Sequence, residues 1–173
     1  MPDPAEPPAD RAASPAPDPG WDELIAAAHE ARRHAHAPWS GYAVGAALRA
    51  DDGTVWSAAN VELAIPALGT CAERNAVNAA LAAGRRRFVA LAVVTPSSPP
   101  ACPCGVCRQV LVEFVPEGEE LPILCVNDAG ERVEVTLGEL LPRAFRLGRG
   151  APPADAGRPD GLREPPARGD QRR

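Results

Sequence analysis

Three cysteines restrict what this chain can fold into more than any other feature of it. Cys71-Ala72-Glu73 is followed, 33 residues after Cys71, by Pro103-Cys104-Gly105-Val106-Cys107. Thr70 reads as an N-cap, which puts Cys71 in the first turn of one helix, and Pro103 puts Cys104 and Cys107 in the first turn of another. Residues three apart share a helix face, so Cys104 and Cys107 can chelate together. The positive ends of both helix dipoles favour thiolate over thiol. A fold in which one metal takes all three sulfurs must therefore bring two helix starts to one point. Three thiolates leave a tetrahedral Zn²⁺ one open position for water, as in catalytic sites, and Glu73 stands ready as a proton carrier. The thiolates also leave the site with a net negative charge that opposes acidifying a bound water. Arg74 and Arg108 are the cations placed to offset it.

Each piece also has a plainer reading. Thr70-x-x-Glu73 is a capping box, in which Glu73 merely accepts a backbone N–H. Cys104-x-x-Cys107 fits a redox dithiol or half of a structural zinc knuckle, with Cys102 or Cys125 as a further ligand. The combined spacing of all four residues favours the catalytic zinc, since a structural site usually offers two paired knuckles. Cys125, in mid-strand, reads as a small buried apolar residue, and Cys102 as a spare thiol beside the metal or a surface group. His29, His34 and His36 follow a polar helix face and its fraying end, where solvation is the expected state. Arg85-Arg86-Arg87 reads as a solvated turn after Gly84.

Composition sets the frame around this motif. Twelve of the 21 prolines of the 173-residue chain lie in residues 1–20 and 149–173. Both ends therefore read as disordered tails around one domain, residues 21–148. That domain carries 11 arginines against 15 acids, and the chain has no lysine. Proteins that bind nucleic acid polymers present a basic stripe, so a mildly acidic core points to a small neutral substrate. The first 20 residues are Pro- and acid-rich with no apolar segment, which reads as cytoplasmic residence with reduced thiols. No stretch reaches the roughly 18 continuous apolar residues of a membrane span.

Periodicity supplies the elements. Trp21, Leu24, Ile25 and Ala28 recur at helical spacing, and the pattern predicts a helix running on to Ala37 before Pro38. Residues 42–49 and 54–60 read as two strands of a hairpin around Asp51-Asp52-Gly53. Residues 71–83 form an Ala-rich helix closed by Gly84, 88–94 a buried strand and 104–114 a helix. Two more strands, 121–127 and 131–135, flank Asp128-Ala129-Gly130, and 137–141 is a short helix. The order αββαβαββα implies a mixed α/β layer fold.

Several blocks together carry a family resemblance. They are the run from Pro38-Trp39-Ser40-Gly41-Tyr42 to Leu48, Asn60-Val61-Glu62, Cys71-Ala72-Glu73-Arg74-Asn75-Ala76, Pro103 to Val110, and Glu139-Leu140-Leu141-Pro142. From about Trp21 to Phe145 the chain resembles the zinc-dependent cytidine deaminases of the small, homotetrameric, three-cysteine type. The resemblance implies a three-layer fold with a mixed five-stranded sheet and helices on both faces. It implies Cys71, Cys104 and Cys107 as zinc ligands, Glu73 as proton shuttle and Arg74 as the arginine that quiets the thiolates. It further implies substrate contacts from Asn60, Glu62, Tyr42 and Ala72, with Phe145 reaching into a neighbouring subunit's site. Asn60 and Glu62 would hold the ribose 3′-hydroxyl.

The reaction implied is hydrolytic deamination of cytidine and deoxycytidine at C4, with Glu73 moving protons from water to N3 and then to the departing amine. Some positions depart from the family pattern. Leu63 stands where Asn is common, Pro66 where a Tyr reaches the ribose 5′-hydroxyl, Tyr42 where a ring-packing Phe is usual, and Arg146-Leu147 where Gly-Pro follows the aromatic residue. These departures keep a second reading open, a deaminase of a modified aminonucleoside such as a peptidyl-nucleoside antibiotic. A non-catalytic zinc or redox module is the third.

Overall fold

Period-two alternation along the strands sorts the core into two layers. The computed structural model describes residues 18–146, so the Pro-rich ends fall outside it apart from Asp18, Pro19 and Gly20. These three are not loose tail: Asp18 accepts from the Gly20 and Trp21 amides at 2.9 and 3.2 Å, and Arg49 Nε donates to the Pro19 carbonyl at 2.8 Å.

Five strands, β1 (Gly45–Ala50), β2 (Val55–Ala59), β3 (Phe88–Thr95), β4 (Pro122–Asn127) and β5 (Arg132–Thr136), form one sheet in the order β2-β1-β3-β4-β5. All neighbours are antiparallel except β3 and β4. The parallel pair requires a crossover, which α3 (Gly105–Val112) supplies. Ala47, Ala90, Ala92, Val94, Leu124 and Val126 point to one face, where they meet Leu24 and Ala28 of α1 (Trp21–Arg32). Leu48, Leu91, Val93, Ile123 and Cys125 point to the other, under α2 (Ala72–Ala82), α3 and α4 (Leu137–Leu140). The sheet is thus mixed, five-stranded and covered by helices on both faces, as the sequence predicts.

Boundaries shift where tertiary pairing competes with periodicity. α1 ends at Arg32 rather than Ala37, because the His36 backbone is drawn off to the strand side. His36 N–H donates to Asn60 O at 3.0 Å and His36 O accepts from Glu62 N at 2.7 Å. β1 begins at Gly45 rather than Tyr42, since Tyr42 and Val44 are held by the Asn60 side chain instead of a ladder. α2 closes as the glycine predicts: Gly84, at φ +85°, donates to Leu81 O and Arg85 donates to Ala80 O, the paired bonds of a Schellman ending. The three arginines that follow are not simply solvated. Arg85 pairs with Asp52 at 2.7 Å, Arg86 donates to Leu81 O at 2.8 Å and Arg87 pairs with Glu119 at 2.7 Å.

Candidate active site

The two helix starts do converge, and the thiols sit even closer to the helix ends than the sequence suggests. Cys71 is itself the N-cap of α2, with extended φ −68° and ψ 155°, and Cys104 is the N-cap of α3, with φ −67° and ψ 164°. Thr70 is therefore one residue too early to cap. Its backbone is occupied instead in a two-way pairing with Val61, N to O at 2.9 Å in both directions. This pairing closes the loop through the 3₁₀ turn Pro66–Leu68 and sets Cys71 beside Asn60 and Glu62. The capping-box reading of Glu73 falls with it, because α2 has no side-chain cap. The box the chain does form is Thr136 with Glu139, at the start of α4. On the α3 side, Thr95 Oγ1 accepts from Ala101 N at 3.0 Å and ties the connection that leads to Cys104 to the end of β3.

Cys71 and Cys104 sulfurs lie 3.8 Å apart, Cys104 and Cys107 sulfurs 3.4 Å, and all three are within 4.8 Å of one another. A tetrahedral ion with Zn–S bonds of 2.3 Å needs sulfur–sulfur edges of about 3.8 Å, so the trio is spaced to hold Zn²⁺ with small side-chain adjustments. The electrostatics fit as well. A hydrogen bond from Cys107, reinforced by Arg74, pulls the Cys71 thiol down to about 5. Cys107 is pushed well up by the same hydrogen bond and by burial. Zn²⁺ held by Cys71, Cys104 and Cys107 would take all three as thiolates. Arg74 donates to Gly69 O at 3.2 Å, while its Nε is the one buried side-chain nitrogen or oxygen among the described residues without a partner. The guanidinium also lies close enough to Cys71 and Cys107 for the thiol groups to favour its charged form. Arg108, the other candidate cation, serves the scaffold instead: it donates to Pro103 O at 2.6 Å and Leu140 O at 2.9 Å.

Glu73 is 5 % exposed, and burial, then the Cys71 charge, pushes its carboxyl above the ordinary value. Burial that raises a carboxyl's proton affinity suits it to take up and return a proton better than a surface glutamate does. Ala72, directly before it, is fully buried. A cleft of about 530 Å³ runs outward from Cys71 and Arg74 past Asn60 and Glu62 to Leu63 and Pro66.

Asn60 and Glu62 are both partly committed to the chain's own backbone. Asn60 Oδ1 accepts from Val44 N and its Nδ2 donates to Tyr42 O, each at 2.9 Å. Glu62 accepts from the Trp39 and Ser40 amides at 3.1 and 3.2 Å and from the Ser40 hydroxyl. Tyr42 is anchored through its hydroxyl to Ser97 Oγ at 2.8 Å. Phe145 lies away from this cleft, 68 % exposed, with its backbone gripped by Gln109: Gln109 Nε2 donates to Phe145 O at 2.8 Å and Oε1 accepts from its N–H at 3.3 Å. Ser40, Ser97 and Gln109 were not singled out from sequence. For Ser40 the available signal was its place in Pro-Trp-Ser-Gly, a turn in which a serine hydroxyl bonds nearby backbone. Cys125 is fully buried in the core, and burial pushes its thiol up. Cys102 packs against the same cluster, half-buried and outside the sulfur trio.

Comparison with known proteins agrees with this geometry. The family model described as "Cytidine and deoxycytidylate deaminase zinc-binding region" matches residues 21–118. A cytidine deaminase of Sporosarcina psychrophila is 43 % identical over 124 residues, covering 72 % of this chain and 90 % of its own length. The crystal structure of a cytidine deaminase from Burkholderia pseudomallei superposes with a TM-score of 0.67 at 45 % identity, over 72 % of this chain and 98 % of that one. A blasticidin-S deaminase of Bacillus cereus is more distant, 31 % identical over 110 residues, covering 59 % of this chain and 76 % of its own. The matched family region spans the sulfur trio and the buried Glu73, and this chain belongs to the family of cytidine and deoxycytidylate deaminases.

Proposed function

We propose that this protein catalyses the hydrolytic deamination of cytidine and deoxycytidine to uridine and deoxyuridine, with release of ammonia. The observation that carries the reading is the buried Glu73 directly beside three thiols at zinc-binding distance. Zn²⁺ held by Cys71, Cys104 and Cys107 supplies Lewis-acid activation of a water molecule. Glu73, with its raised proton affinity, takes the first proton as water adds to C4 and passes it to N3; it then takes the second, from the hydroxyl now on C4, and delivers it to the amine, which leaves as ammonia. Arg74 keeps the thiolates' charge from opposing that proton release.

Asn60 and Glu62 hold the sugar, each through the hydrogen-bonding capacity that its backbone contacts leave over. Ala72 and Tyr42 border the pyrimidine. Phe145, outward-facing and fixed by Gln109, completes a neighbouring subunit's site in a homotetramer. Cytoplasmic residence accords with five unpaired cysteines and with the lack, among the described residues, of any helix long and apolar enough to cross a membrane.

The test is loss of cytosine-ring absorbance when zinc-loaded protein meets cytidine, deoxycytidine and cytosine in parallel. Turnover of both nucleosides and not of the free base is expected. Silence on all three would overturn the reading and favour a modified aminonucleoside, for which the apolar Leu63 and Pro66 at the outer end of the cleft speak.

A further inference from the structure

Glu62 is a surface carboxylate, yet three donors from two adjacent residues hold it. Trp39 N–H and Ser40 N–H both reach Oε2, at 3.1 and 3.2 Å, and the Ser40 hydroxyl reaches Oε1. A carboxylate offers about four lone-pair directions. Oε2 is therefore filled, and Oε1 retains one open direction. The Ser40 hydroxyl has no freedom to turn away, because its oxygen accepts the Tyr42 amide at 2.9 Å and its proton is left to point at Glu62. Asn60 is spent in a parallel way: one lone pair goes to Val44 N–H and one N–H to Tyr42 O. The cleft wall thus presents the open direction of Glu62 Oε1 as a fixed acceptor beside the remaining Asn60 N–H as a fixed donor, with one Asn60 Oδ1 lone pair left over, and this acceptor–donor pair complements a hydroxyl group.

We propose that Ser40 is a positioning residue: by locking Oε1 of Glu62, it turns a mobile surface side chain into a preorganised acceptor for one sugar hydroxyl, the 3′-hydroxyl. The inference rests on the deaminase reading above and adds to it a residue that touches neither substrate nor metal. Without the Ser40 hydroxyl, Glu62 keeps both backbone donors on Oε2, but Oε1 loses its tether. The ordering of the carboxylate then falls on the substrate, and affinity drops.

The test compares cytidine with 3′-deoxycytidine on zinc-loaded wild type, Ser40→Ala and Ser40→Thr. Wild type is expected to favour cytidine. Ser40→Ala should shrink that preference about 10-fold, through KM for cytidine, with kcat changed less than about 3-fold and 3′-deoxycytidine unaffected. Ser40→Thr, which keeps the hydroxyl, should retain the preference. A merely structural role for Ser40 would weaken both substrates alike, and that result would overturn the proposal. So would an unchanged preference in Ser40→Ala, or failure of that variant to fold and hold zinc, which would assign Ser40 to loop architecture. If wild type turns over both nucleosides equally well, the sugar role of Glu62 is wrong while the deaminase reading stands. If it turns over neither, the deaminase reading itself fails.

Discussion

The two faces of the sheet are built from alternate residues of the same strands, and they do different work. Under α1 the strand residues are small, Ala47, Ala90 and Ala92 among them, and the helix comes so close that a Cβ on Gly45 would lie 2.0 Å from Ala28 O. The opposite face carries larger residues, Leu48, Phe88, Leu91 and Ile123, and on it α2 and α3 bring their N-termini to one point. Glu73, the one buried charged residue among those described, is on this second side. Close packing on one face stiffens the sheet. That rigidity lets the other face hold three sulfurs and a carboxyl in register, because a site of this kind tolerates little slack.

The contrast can be broken most severely at the metal. Cys104→Ala should lose zinc and all turnover, with a lowered Tm, as read by metal content and calorimetry. Glu73→Ala should keep its full zinc complement while kcat falls about 10²- to 10⁴-fold, and a variant that stays active would refute the proton-shuttle role. Gly45→Ala strikes the other face. It should cost about 3 kcal/mol in urea denaturation, with the kcat of the molecules that remain folded close to wild type. An unchanged unfolding midpoint would mean that α1 does not press on β1 as described.

Cys125→Ala tests where the metal face ends: about 1 kcal/mol of stability should go, with zinc retained, whereas zinc loss would bring Cys125 into the site. The smallest effect is expected at the β1–β2 turn. Thr54 hydrogen bonds, then Arg85, hold the Asp52 carboxyl below its ordinary 3.8. Its contribution is therefore present above that value and lost as pH falls through the depressed one. Asp52→Ala should lower Tm slightly at neutral pH, by an amount that fades in acid.

Much of this was legible in the residues themselves. Alternating apolar residues, turn glycines and helix periodicity named every strand and α-helix among the described residues, though not the 3₁₀ turn Pro66–Leu68, because those signals depend on neighbours a few positions away. Errors gathered where distant segments compete for the same backbone groups: at His36, taken from α1 by Asn60 and Glu62, and at Thr70, paired with Val61 instead of capping α2. Cys104-x-x-Cys107 and Cys71 announced a metal by donor type and spacing alone, and Glu73, two residues after Cys71, is the carboxyl proposed to move protons beside it.

The sequence by itself therefore determined the order of strands and helices and the three-thiol metal motif, both of which are written in residue type and local period. Tertiary structure decided that Arg108 is spent on the Pro103 and Leu140 carbonyls while Arg74 lies beside Cys71. It also set how Glu62 is aimed and where Phe145 points. The reason is physical: side-chain direction and hydrogen-bond partners between segments some 20 to 40 residues apart depend on the sheet that joins them, and no local pattern encodes that junction.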